Sequence, residues 1–136
     1  MLRAKVKSAE TTYRALLLNV MVAMMEVDRS VDKNEVERIG DIYEEIVGFR
    51  LETAVRERLI GSLVVPRREV LEMVRKYGPS LDAEQRKLVI RGALRVLEAD
   101  DRVTPHENWL LNKVALAFGM TTDELGAILR ETQTDR

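Results

Sequence analysis

The chain has 136 residues, 46% of them hydrophobic and 4% aromatic, which suffices for one buried core and favours interdigitating helices over a sheet sandwich. Its 22 basic and 23 acidic residues leave no cationic excess to hold nucleic acid or an anionic membrane. The lack of cysteine excludes disulfides, thiolate metal sites and a cysteine nucleophile, and fits a cytoplasmic protein.

The basic opening segment has no signal-like cleavage site and reads as the start of the mature chain. Tyr13, Leu16, Leu17, Val20, Met24 and Val27 follow helical spacing, predicting a first helix over about 9–27. The apolar run Ala15 to Met25 within it has eleven residues, short of the ~20 that cross a bilayer. Asp32 and Glu35 form a capping-box pair that opens a second helix, with Val36, Ile39, Ile42, Tyr43 and Ile46 inward and Gly48 closing it. A third helix is expected from Leu51 to Val64, and Pro66 introduces a fourth from Arg67 to Tyr77, which Gly78-Pro79 stops. Ser80 or Asp82 caps a fifth that runs to Ala99, its apolar face being Leu88, Val89, Ala93, Val96 and Leu97. Thr104, Pro105 and Glu107 open a sixth helix that ends at Gly119. Thr121 and Glu124 cap a short seventh over about 121–131, and the tail ETQTDR is expected to fray.

Shifted by 72 residues, LLLNVMVAMMEVDRSVDKNE superposes on LVIRGALRVLEADDRVTPHE without a gap. Leu16, Glu26, Asp28, Val31 and Glu35 meet Leu88, Glu98, Asp100, Val103 and Glu107 as identities. Apolar positions correspond too, Ile39 with Leu111 and Ile42 with Val114. A duplicated helix, acidic turn and helix explains this better than shared helical composition. The expected architecture is therefore all-α: about seven helices in one compact domain spanning 1–136, with pseudo-symmetric repeat units over about 9–48 and 81–119. Helices within 51–77 connect the two units.

The shared turn reads E-x-D-x-x-V-x-x-x-E. It supplies carboxylates at positions 3, 5 and 12 of a twelve-residue calcium loop, but position 1 is Met24 or Val96 and the glycine position is Arg29 or Asp101. A standard calcium loop is excluded. Two readings remain for Asp28, Glu35, Asp100 and Glu107. In one, the two turns meet and offer oxygen ligands to a hard divalent cation: calcium, magnesium, manganese or zinc. In the other, each glutamate completes a capping box and each aspartate ends a helix-turn. Glu26 and Glu98 can join such a site, yet near a helix C-terminus their charge opposes the helix dipole.

These residues resemble the tellurite-resistance B (TerB-like) family, whose hallmark is a helix ending in A-D-G-x-V-x-x-x-E, present twice in an all-helical domain. The second copy, EADDRVTPHENWLLNKVALAFGMTTDEL, is the closer match, and the first, MEVDRSVDKNEVERI, is more diverged. The resemblance runs from about Ala15 to Leu129, with Arg29 and Asp101 where the family has glycine. It implies a seven-helix bundle from a bacterial stress-associated group, clustered acids that bind metal, and no established reaction. The same domain is found fused to J-domain co-chaperones, but this chain has no HPD tripeptide.

His106 is the only histidine, and without a second imidazole or a nucleophile beside it, it reads as a solvated polar residue. Met21, Met24 and Met25 suit core filling at helical spacing, with an adaptable partner groove as the alternative. Trp109 lies off the stripe of Leu111, Val114 and Phe118, at a domain edge or a dimer contact. Between Arg50 and Gly78, seven bases face four acids, so Arg56, Arg58, Arg67, Arg68, Arg75 and Lys76 can dock an acidic partner or a second copy. No phosphate loop, zinc signature or triad appears, and no catalytic residue is assigned. The expectation is a non-enzymatic cytoplasmic binding domain with a protein partner or self-association, without nucleic acid or membrane insertion. A protein-interaction adaptor whose acidic turns are purely structural is the alternative.

Overall fold

A computed structural model describes the backbone of residues 2–25, 32–60, 66–99 and 105–134, and the side chains of 10–25, 32–60, 66–98 and 109–131. Its helices are α1 (Leu2–Met24), α2 (Lys33–Val47), α3 (Thr53–Leu59), α4 (Arg67–Tyr77), α5 (Ala83–Ala99), α6 (Pro105–Ala117) and α7 (Thr122–Thr134). There is no strand among the described residues. The all-α architecture expected from the apolar spacing is observed.

Most helix boundaries follow from local chemistry. The Asp32 carboxylate accepts from the Glu35 N–H at 2.8 Å while Glu35 Oε1 accepts from the Asp32 N–H at 2.9 Å, a complete capping box. Between the two candidates for opening α5, the structure selects Asp82, which exchanges the same pair of bonds with Gln85 at 2.8 and 3.0 Å. Ser80 instead donates to the Tyr77 carbonyl, inside the single 3-10 turn Gly78–Ser80 that follows α4. Thr121 and Glu124 cap α7 reciprocally. After α6, Gly119 adopts φ 76°, and the Gly119 and Met120 N–H groups donate back to Leu116 and Ala115. That is the glycine-terminated Schellman arrangement, which satisfies the last carbonyls of the helix.

Three boundaries differ from the sequence-based expectation. The first helix begins at Leu2 rather than Ala9, because the segment ahead of the apolar stripe is built from good helix formers and contains no breaker. The third ends at Leu59 rather than Val64, with Ile60 in extended geometry ahead of Gly61. No side chain caps its start, and none of its residues is fully buried. The tail expected to fray stays helical to Thr134, because Glu131 accepts from Lys87 at 2.9 Å and Arg91 at 3.0 Å on α5.

At the centre stands α5, packed against α1, α2, α6 and α7, with α4 on α1 and α6. Its buried positions include Val89, Ile90, Ala93, Leu94, Val96 and Leu97, a wider arc than one amphipathic stripe, whereas Leu88 is only partly covered. On α1, Leu16, Leu17, Val20, Met21 and Met24 are at most 1% exposed, so the apolar run forms core. Met21 and Met24 fill that core, and Met25 packs against it half-buried. Among the described residues no helix is long and apolar enough to cross a membrane.

Some of the residue pairs related by the 72-residue shift are buried at both members, although Leu16 is buried and its counterpart Leu88 only partly so. Leu17 and Val89, Met21 and Ala93, Met24 and Val96, Ile39 and Leu111, and Ile42 and Val114 are buried in both halves. The starts of α2 and α6, Lys33 and Pro105, stand at the same offset.

Candidate functional site

Of the acids proposed from the sequence, the structure describes Glu35 fully. Its carboxylate is fixed at the exit of the first acidic turn by the capping box, with Oε1 engaged by the Asp32 N–H. A carboxylate has two oxygens, so capping leaves one free to accept elsewhere. Asp28 and Asp100 lie outside the described residues, as do the side chains of Glu107 and His106. Among the described residues, no group of three or more His, Cys, Asp or Glu side chains is arranged to hold a metal ion.

Glu98, the repeat mate of Glu26, is described and is not idle. Arg95 bridges it to the other half of the molecule, donating through Nη1 to Glu98 at 3.1 Å and through Nε to Glu45 on α2 at 3.0 Å. The hydrogen bond to Glu45 is the main cause that raises the Arg95 pKa, against an opposing effect of burial. A carboxylate at the C-terminal end of α5, unfavourable against the helix dipole, thus has a guanidinium beside it.

A second acidic and basic grouping, unremarked in the sequence, lies along α2. Glu37, Gly40 and Asp41 line a cleft of about 220 Å³ with Arg50 and Leu51 from the following connection and Arg56 from α3. Glu37 and Asp41 are four apart on one helix face, and Gly40 beside them carries no side chain to fill the space. Arg56 Cδ lies 3.8 Å from where a Cβ on Gly40 would stand. One Arg56 terminal nitrogen donates to Thr53 Oγ1 at 3.1 Å, whereas its Nε is buried without a partner among the described residues. The sequence signals were the glycine inside a helix and the two carboxylates flanking it. Each reads as an ordinary solvated helix face until α3 folds over them.

A third feature is the outer face of α6, where Trp109 and Leu116 are 49% and 64% exposed. They are seven residues apart and so share one face, with Lys113 lying 5.8 Å from the indole ring centroid. Trp109 is therefore on the surface.

A family model described as tellurite resistance protein TerB matches residues 14–130. The chain belongs to the TerB family. No curated protein and no solved structure matches it. The matched span holds both acidic turns and begins within α1 and ends within α7, so Asp28, Glu35, Asp100 and Glu107 all fall inside the TerB region. Glu131, which ties α7 to α5, stands one residue beyond it.

Proposed function

We propose that this TerB domain is a non-enzymatic, stress-associated binding module that takes a divalent cation between its two acidic turns through Asp28, Glu35, Asp100 and Glu107. The observation that supports it most directly is the capping box at the start of α2. It presets the Glu35 carboxylate at the end of the turn while engaging only one of its oxygens, so a cation meets an ordered ligand. The recurrence of the same acids 72 residues later supplies a second half to the site. Hard oxygen donors suit calcium, magnesium or manganese more than zinc.

Titration calorimetry with calcium, magnesium, manganese and zinc tests this reading. Saturable heat, a raised melting temperature, and loss of both in Asp100→Asn and Glu107→Gln are expected. No heat and no change in melting temperature with any of the four ions would remove it.

A second reading, a protein-interaction adaptor with purely structural turns, draws on the exposed Trp109 and Leu116 face of α6. Large apolar side chains sharing an exposed face mark contact surfaces. Under that reading, Trp109→Ala weakens partner binding and the acidic-turn variants do not.

A further inference from the structure

We propose that the cleft between α2 and the connection leading into α3 binds a small zwitterion, a molecule carrying one carboxylate and one ammonium group. None of the cleft's lining residues is among the four acids of the cation reading, and its failure would leave that reading untouched. Its chemistry is set by two pairs of opposite charge among its lining residues, Glu37 and Asp41 from α2, and Arg50 and Arg56 from the connection after α2 and from α3. A simple anion drawn by the guanidiniums meets two carboxylates, and a metal ion drawn by the carboxylates meets two guanidiniums. A ligand with both charges satisfies each side, its carboxylate toward the arginines and its ammonium toward the acids.

The arginines are poised for this task to different degrees. Arg56 is oriented by its bond to Thr53 and by the close passage of its stem over Gly40. Its buried Nε lacks an acceptor among the described residues, a costly state that an entering carboxylate relieves as the guanidinium turns toward it. Arg50 is held only by a loose, solvent-exposed pair with Glu44 at 3.7 Å and is readily redirected into the cleft. Neither the Glu37 nor the Asp41 side chain has a hydrogen-bond or ion-pair partner among the described residues. The buried Leu51 supplies an apolar wall. A volume of about 220 Å³ is below the usual range for drug-sized ligands and suits a molecule of amino-acid size.

The test is calorimetric titration of the full chain with glycine, β-alanine and 4-aminobutyrate, which space the two charges progressively, against acetate and ethylammonium as singly charged controls. At least one zwitterion is expected to bind with a Kd of about 1 mM or tighter, and the controls at least about tenfold more weakly. Arg56→Gln and Asp41→Asn are each expected to weaken that binding at least about tenfold while the helical circular-dichroism signal persists. Asp41 is exposed, so its variant carries the test if Arg56→Gln does not fold. No saturable binding of any of the three, acetate binding as tightly as they do, or undiminished binding by a folded variant would each overturn the proposal.

Discussion

Leu17 Cδ1 on α1 stands 2.5 Å from the place a Cβ on Gly92 of α5 would occupy. The 72-residue shift sets Gly92 against the buried Val20, so a glycine stands in place of a buried apolar side chain where α5 meets the Leu17 methyl of α1. Only a residue without a side chain admits the Leu17 methyl there.

Gly92→Ala therefore gains helix propensity of about 1 kcal/mol but forces a clash with a fully buried leucine, at about 1–3 kcal/mol. Net destabilisation is expected. Gly126→Ala on α7 is the contrasting case, because the nearest atom is the tip of Arg130 at 3.5 Å, an ordinary contact on a flexible side chain. That variant should gain about 0.5–1 kcal/mol. Chemical denaturation of both variants checks the opposite signs, and a stabilised Gly92→Ala would refute the close crossing.

The capping box separates structure from ligation at Glu35. Asp32→Ala removes the acceptor for the Glu35 N–H and should cost about 1 kcal/mol. Glu35→Gln keeps an oxygen to accept from Asp32 and should leave stability nearly unchanged, while the loss of charge weakens a bound divalent cation. Cation affinity unchanged in Glu35→Gln would mean that this glutamate is a cap alone.

The last helix is tied down by charge. Hydrogen bonding from Lys87 is the main cause that holds the Glu131 carboxyl below its ordinary value of 4.5, with Arg91 adding to it and burial opposing. A depressed folded-state pKa means that the contribution is present above the unfolded value and lost as pH falls through the folded one. Amide protection factors along the end of α7, taken relative to the unstructured-chain rate at the same pH and salt, should fall in Glu131→Gln, in acid below the carboxylate range, and in high salt. Equal exchange in the variant and the parent at neutral pH and low salt would show that Leu125 and Ile128 hold α7 unaided.

What was legible in the sequence had local causes. Asp32 with Glu35, Thr121 with Glu124, and Gly119 each declare a helix end within a few residues, and the apolar spacing of α1 and α2 declares which face is buried. Missed features depend on partners far along the chain. Glu131 reads as part of a fraying tail until Lys87 and Arg91, 44 and 40 residues earlier, come beside it. Likewise, Glu37 and Asp41 read as a solvated face until Arg56 covers Gly40. Of the four proposed cation ligands, both glutamates read locally as helix caps, and of those two side chains the one at Glu35 lies among the described residues and makes its cap.

Tyr13 offers the sharpest pH-dependent test. Its ring is buried at 4% exposure on α1, and its hydroxyl has no partner among the described residues. Burial pushes its pKa from 10.0 up to about 12, with smaller contributions from Glu10 and Tyr43. Because burial disfavours the phenolate, ionisation of Tyr13 leaves stability unchanged below the unfolded pKa and lowers it as pH rises through the folded one, here between 10.0 and about 12. Tyr13→Phe removes both the orphaned hydroxyl and the ionisation. The variant should be more stable near neutral pH by about 1 kcal/mol, the lower end of the cost of an unsatisfied buried group. It should also lose less stability than the parent when both are brought to about pH 11. Some alkaline loss will remain, because burial raises the Tyr43 pKa as well. Denaturation midpoints at the two pH values decide it, and a Tyr13→Phe protein less stable at neutral pH would mean that the hydroxyl has an acceptor after all.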